Sequence, residues 1–372
     1  MENASRSSQE PPIGGSGIPD AERGRSVPPA MPPIIIQQGG TGALKRILAS
    51  VGWLGFAVCG VLLLGQYLAL HDYFDTTGGL TEKHHSLSRF ARDKVAIITV
   101  DGVIMSGEGF VKRQIDRVRR DANVKAVVLR VDSPGGTVAG ADYIYHHLKK
   151  LREERKLPLV VSMGSVAASG GYYVAMAVGD QPRSIFAEPT TTTGSIGVII
   201  PHYDLSGLLA RFDVKDDSIA SHPRKEMLSM TKPMSEDQRQ LVQAYLDEAF
   251  QRFKKIVGEG RPKFRQDKAA LDRLATGEIF TAQQAIQHGL VDEAGFIEEA
   301  IDRAIELAGL KKEQTRVVRF QSPLTIFGLE MFYSRDPSRA SSGLEFLVPQ
   351  AYYLWTSFPP LMSTYARLGG AK

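Results

Sequence analysis

The segment Leu157–Ala177, LPLVVSMGSVAASGGYYVAMA, decides how the chain is read. Its opening, LPLVVSMG, is a short apolar run of the kind found in strands buried on both faces. The remainder, SVAASGGYYVAMA, is dominated by small residues and reads as a closely packed helix. A buried strand turning straight into a helix is the building unit of an α/β fold. Upstream, KVAIITVDG (94–102) is a strand followed by the amphipathic FVKRQIDRVRRD (110–121), and AVVLRVDSPGG (126–136) is a strand followed by a helix through AGADYIYHHLKKLREERK (139–156). Downstream, SIFAEP (184–189) and SIGVII (195–200) read as short strands either side of a Thr-rich loop, and LSGLLARF (205–212) as a short helix. MSEDQRQLVQAYLDEAFQRFKKIVGEG (234–260) is a long amphipathic helix opened by a capping-box pattern, Ser235 with Gln238. This alternation implies an α/β domain with a mostly parallel sheet.

The flanks differ in character. Residues 1–43 are rich in Pro, Gly, Ser and scattered charge, too poor in apolar surface to offset chain entropy, and are expected to be disordered. Ile47–Leu70, ILASVGWLGFAVCGVLLLGQYLAL, carries no charged residue. A helix of about 24 residues spans a hydrocarbon core of about 30 Å. The segment 44–71 is therefore expected to be a single transmembrane signal anchor, because it begins too far into the chain for a removed leader. Lys45 and Arg46 precede it, while His71, Asp72, Asp75 and Glu82 follow before the first lysine, Lys83. The positive-inside rule then puts the N-terminus in the cytoplasm and the rest of the chain outside, as in an inner-membrane protein. Residues 72–93 read as a linker, 94–315 as the folded domain, and 316–372 as an aromatic, Pro-containing C-terminal extension that packs on the domain or on a neighbouring subunit.

Composition narrows the chemistry. With 43% hydrophobic and 23% charged residues the bulk of the chain is globular, and the net charge of +4 is spread rather than gathered in a basic stripe, so nucleic acid is not an expected partner. The single cysteine, Cys59, excludes intrachain disulfides and multi-cysteine metal sites. The eight histidines form no HxxxH or HExxH pair, so neither a metal nor another cofactor is expected.

Two strand ends offer reactive groups. RVDSPGG (130–136) places Pro134 and two glycines after a buried strand, where exposed backbone N–H groups could stabilise an oxyanion or simply close a tight turn. The opening segment holds three serines, Ser162, Ser165 and Ser169. Ser162 falls within the strand and Ser165 suits a helix N-cap, whereas Ser169 precedes Gly170 and Gly171 and stands where a helix dipole would favour negative charge. Carboxyl ends of parallel strands share one crevice, so the two loops can face a common site. A nucleophilic serine needs a base. His146 and His147 lie among Lys and Arg on a helix, His84 and His85 in the linker, and His288 at a helix end, which leaves His202 and His222 without a carboxylate partner that would make a triad. Lys225 and Lys232, in ASHPRKEMLSMTKPMS, are the other candidate bases, since a desolvated amine can lose its proton near neutral pH.

Four motifs in order, SPGG (133–136), AASGGYYVA (167–175), TGSIGVI (193–199) and GEIFTAQQAIQHGLVDEAG (277–295), resemble the signal peptide peptidase A family of membrane-bound serine proteases over roughly residues 94–310. The resemblance implies the Clp protease/crotonase-like fold of repeated ββα units, here preceded by one transmembrane helix. It implies a Ser-Lys dyad with Ser169 as nucleophile, Lys225 of KEMLS as base, and Ser195 orienting the lysine amine. It also places the oxyanion hole at Gly135, Gly136 and Gly170. The function so implied is endopeptidase cleavage of released signal peptides or other membrane-associated or misfolded peptides, in a homo-oligomeric ring whose sites are shared between subunits. Peptide is expected to add as a strand beside the cleft, with shallow pockets for small apolar side chains. Two other readings compete: an inactive oligomeric membrane scaffold of the same fold, and a crotonase-like acyl-CoA enzyme, which would use the paired glycines without a Ser-Lys pair.

Overall fold

The computed structural model describes residues 41–74, 79–322 and 351–354. Most of the N-terminal tail and much of the C-terminal extension lie outside the described residues. Helix α1, Thr41–Phe74, contains in Lys45–Tyr67 a stretch long and apolar enough to cross a membrane. Its large apolar side chains face outward, Trp53 at 73% exposure and Phe56 at 72%, so nothing in this unit covers them.

The second unit is built on a sheet whose strands arrive in the expected alternation. They are β1 (Thr81–Leu87), β2 (Asp93–Asp101), β3 (Val124–Ser133), β4 (Gly135–Thr137), β5 (Leu159–Ala168), β6 (Ile185–Ala187), β7 (Thr192–Gly194), β8 (Ile279–Thr281), β9 (Glu293–Ala294), β10 (Thr315–Gln321) and β11 (Tyr352–Leu354). Between them lie α2 (Phe110–Arg120), α3 (Val138–Arg155), α4 (Gly170–Ala175), α5 (Ser206–Arg211), α6 (Glu236–Gly260), α7 (Pro262–Gln266), α8 (Lys268–Leu274), α9 (Ala282–His288) and α10 (Ile297–Leu307). The main sheet runs β1-β10-β2-β3-β5-β6-β9, parallel from β10 to β9, with β1 antiparallel at the edge; β7 branches from the end of β5 and carries β8. This is the parallel-rich α/β architecture of the Clp protease/crotonase class.

Successive side chains of a strand point to opposite faces, and both faces here are covered. Ala96, Ile98, Leu129 and Val161 join the core under α2, α3, α4 and α6, while Val95, Ile97, Val128 and Val160 pack on Ala300, Ile301, Ala304 and Ile305 of α10. That double burial explains the continuous apolar runs of the sequence. Helix α6 begins as read, with a complete Ser235–Gln238 capping box.

The structure differs from the sequence reading in four places. Residues 81–87, expected as linker, form β1, held by β10 across six register pairs. The strand β5 runs on through Ser165 to Ala168, so Ser165 is no N-cap and the helix starts only at Gly170. The third strand of that region is Thr192–Gly194, inside the expected loop, because its partners β5 and β8 are distant in sequence; Ser195–Ile200 is irregular apart from a bridge at Ile199. The C-terminal extension supplies β10 to the main sheet and β11 to a small one.

Candidate active site

Ser169 sits at the hinge between β5 and α4. Its backbone adopts φ 54° and ψ −115°, an unfavourable conformation for a residue with a side chain. Such strain costs about 1–3 kcal/mol and persists only where the surroundings enforce it. Here they do. The Ser169 N–H donates to the Gly194 carbonyl (2.8 Å) and its carbonyl accepts from the Tyr173 N–H (2.9 Å). The helix start is pressed against the β3–β4 turn: a Cβ on Gly171 would stand 2.7 Å from the Ser133 carbonyl oxygen, and one on Gly170 would stand 3.1 Å from Gly135 Cα. The two glycines therefore serve close packing of strand turn on helix. The Ser169 hydroxyl makes no capping bond, and the residue is 1% exposed.

Ser195 stands beside it. The parallel register of β5 with β7 pairs Val166, Ala167 and Ala168 with Thr192, Thr193 and Gly194, and the next step in each strand is Ser169 and Ser195. Ser195 also has positive φ (50°), and its N–H donates to the Glu278 carbonyl at 2.6 Å. Both serines line a cleft of about 550 Å³ whose walls include Ile196–Ile199, Gln243 and Phe250 of α6, and Ala275–Gly277. The other serine of the opening stretch, Ser162, is buried in β5 and accepts from Arg130 (2.9 Å), which also pairs with Glu188 at 2.6 Å; it has a structural partner already.

The glycines of SPGG approach the cleft from β3. The Gly135 N–H donates to the buried Ser133 Oγ at 3.1 Å, so that donor is engaged within its own turn. Gly135 has φ 98°, and Gly136 is so close to Ile104 that a side chain on it would overlap the Ile104 carbonyl. The Gly136 nitrogen packs against the start of α4: a Cβ on Gly170 would lie 3.1 Å from it. Backbone N–H groups gathered where a strand turn meets a helix start suit an oxyanion.

The lysine is elsewhere. Lys225 is exposed on the 3-10 turn Pro223–Glu226 and is not among the residues lining the Ser169 cleft. Among the described residues its ammonium has neither an ion pair nor a hydrogen bond. Lys232 is committed: it bonds Glu226 (2.7 Å) and lies 3.8 Å from Asp216, and the Glu226 hydrogen bond raises its pKa. A lysine held charged is no base. The two histidines left open by the sequence are also occupied, His202 against the Ser229 carbonyl (3.0 Å) and His222 capping the turn by accepting from the Arg224 N–H (3.1 Å).

Sequence reading missed the walls contributed by α6 and Ala275–Gly277, which are distant in sequence, and it missed Leu354, which lines the same cleft. The aromatic run AYYLW was the available signal for a strand there.

The chain was then compared with known proteins. Residues 151–311 match the model of peptidase family S49. A protein named as a protease in Synechocystis is 36% identical over 232 residues, covering 62% of this chain and 80% of the relative. An Enterococcus faecium protein named signal peptide peptidase SppA is 32% identical over 308 residues, covering 74% of this chain and 86% of that one. Protease 4 of Salmonella typhi is 34% identical over 245 residues, of which this chain matches 38% of the longer relative. Coverage of most of two of these relatives, on top of a strained serine packed against a Gly-Gly turn, establishes that the chain belongs to peptidase family S49, the signal peptide peptidase A family of serine proteases.

Proposed function

We propose that the chain is a membrane-anchored endopeptidase in which Ser169 is the nucleophile and Lys225 the general base. The observation that carries this reading is the placement of Ser169 and Ser195 at adjacent positive-φ positions on one cleft, with the helix start after Ser169 packed against the Gly135–Gly136 turn. The neutral Lys225 amine takes the Ser169 proton as Oγ bonds to the scissile carbonyl carbon, and the oxyanion is met by the Gly136 and Gly170 amides. The proton passes to the leaving nitrogen, and water then hydrolyses the ester. Ser195 orients the lysine amine. Gly135 shapes the turn and contributes through the position it gives Gly136.

Because Lys225 stands outside its own cleft, the lysine of each site comes from a neighbouring copy in a homo-oligomeric ring. Its surroundings support this: Tyr203, Leu208, Phe212 and Ile219 expose 48–100% of their surface on the segment that carries it, an apolar area suited to covering by protein. The helix Lys45–Tyr67 is the anchor, with the N-terminus cytoplasmic and the catalytic unit outside the inner membrane, where released signal peptides and unfolded segments are the substrates.

The test is degradation of casein and of a signal peptide by the full-length protein in detergent, compared with Ser169→Ala and Lys225→Ala. Loss of cleavage in both variants is expected. Cleavage undiminished in either variant excludes the dyad, and an inert wild-type protein points to the scaffold reading.

A further inference from the structure

The 3-10 turn Pro223–Glu226 is fixed on several sides, although the side chain it presents, Lys225, is not. The Lys225 N–H donates to the His222 carbonyl (2.9 Å), and the Glu226 carbonyl accepts from the Ser229 N–H (2.9 Å). Arg224 lies 3.4 Å from Asp237 at the start of α6, and Gln238 of the same helix donates to the Pro223 carbonyl (3.4 Å). The Glu226 carboxylate accepts from Lys232 at 2.7 Å. Lys232 in turn stands 3.8 Å from Asp216, whose carboxylate also takes the Thr231 hydroxyl, the Ser218 hydroxyl and the Ser218 N–H (2.9 Å).

Charges here meet in pairs. Arg224 faces Asp237, and Lys232 faces Glu226 and Asp216, with the exposed Asp217 adding to the field on Lys232. His222 spends Nδ1 on the Arg224 N–H (3.1 Å). Among the described residues Lys225 is the cation left over. In the cleft it would enter, Asp247 is the charged residue among the described lining residues, and Gln243 donates to its carboxylate at 2.8 Å. An amine is a base only while neutral, and a carboxylate within about 4–6 Å favours the charged form. Glu226 is the next residue in the chain, and two long side chains on adjacent residues can reach each other. The Lys232 ammonium holds that carboxylate elsewhere and offsets its charge.

We infer that Lys232 is a positioning residue for the reaction, tying the Glu226 carboxylate away from the Lys225 amine so that the amine can serve as the base. The inference rests on the reading of Lys225 given above. Lys232 takes no proton from Ser169; it acts through the acid that stands beside the base. Without it, the Glu226 carboxylate turns to the Lys225 ammonium and holds it in the charged form, so a smaller share of the protein carries a working base at a given pH.

The test is kcat/KM of the full-length protein in detergent on fluorescently labelled casein, measured from about pH 6 to about pH 10, where the acidic limb reports the base of the free enzyme. In Lys232→Met that limb should move up by about one pH unit, a loss of about tenfold on the limb and little at its alkaline end. Lys232→Arg should keep the wild-type limb, and the double variant Glu226→Gln, Lys232→Met should return it to the wild-type position. Glu226→Gln alone, which leaves the Lys232 charge without its partner, should move the limb down. Sedimentation of each variant reports whether it still assembles; if Lys232→Met does not, Glu226→Gln decides, and a limb unmoved or raised in that variant overturns the inference. With Lys225→Ala inactive, a loss equal at every pH, an unmoved limb in Lys232→Met, or a limb still raised in the double variant overturns the role of Lys232 alone. Lys225→Ala as active as wild type overturns the base reading and this one with it.

Discussion

Residues 159–178 and residues 199–235 carry the two halves of the proposed catalytic pair, and they are finished to different degrees. The first is enclosed except at Ser165 and Val166: every residue from Gly170 to Val178 is buried, and β3, β6, β7 and α6 pack around it. The second is clasped chiefly to itself, by Leu205 N–H to Met230 carbonyl (2.8 Å), His202 to Ser229 and Lys232 to Glu226, and meets other elements at its ends, through the Ile199–Tyr352 bridge and the Arg224–Asp237 pair at the start of α6. Its apolar side chains point outward, with Ile219 fully exposed and Phe212 at 73%. A strained nucleophile needs a rigid frame to stay strained, whereas a residue delivered to another copy needs reach and an unpartnered surface. One half of the site is decided within the chain, and the proposed other half by assembly.

The comparison breaks first at its two named residues. Ser169→Ala should lower casein turnover by about 10⁴-fold or more while leaving the thermal midpoint unchanged or raised, since the hydroxyl holds no structural bond. Lys225→Ala should lower turnover as far. If the sites are shared, an equal mixture of the two inactive proteins, dissociated and reassembled, should recover activity at about a quarter of the sites, the fraction that chance gives a Ser from one copy and a Lys from its neighbour. Turnover in the mixture no higher than in either variant would place both groups in one chain.

Next come the surroundings of each half. Gly171→Ala puts a methyl 2.7 Å from the Ser133 carbonyl and should cost about 1–3 kcal/mol, read as a lowered urea midpoint together with lost activity. Phe212→Asp, on the exposed arm, should leave the urea midpoint within about 0.5 kcal/mol of wild type yet reduce the sedimentation coefficient of the assembly and its turnover. A large loss of stability there would mean that the arm is part of the fold and not an interface.

The smallest expected effect lies on α3. Burial, and then the nearby Lys112, push the His147 pKa down to about 4 from an ordinary 6.5. Between those values the unfolded chain binds the extra proton, so His147 favours the fold above about pH 6.5 and that contribution fades as pH falls toward 4. His147→Gln should flatten this limb of a stability-versus-pH curve without changing the plateau.

Much of this was legible in one dimension. Double-sided burial forces uninterrupted apolar strands, so β2, β3 and the start of β5 stood out. Ser235 and Gln238 marked the start of α6 because a cap is a local device. Ser169 was narrowed from three serines because two glycines follow it. What escaped were the elements defined by distant partners. Thr192–Gly194 is a strand only because β5 and β8 are there, and residues 81–87 only because β10 returns after more than two hundred residues to pair with them. Helix α4 starts late because β5 remains hydrogen-bonded to β7 through Ala168, which overrides the helix propensity of its alanines.

The sequence by itself determined the alternation of strand and helix, the apolar span near the N-terminus and the small set of residues able to do acyl chemistry, because periodicity, charge and glycine spacing act over a few neighbours. The tertiary structure decided which of those residues meet. Strand register set Ser195 beside Ser169, the packing of α4 on the β3–β4 turn brought Gly170 against Gly135 and Gly136, and β11 returned from the C-terminal region to pair with β4. Each of these rests on contacts between residues far apart in the chain, whose closeness follows from burying a shared core and cannot be read along a line.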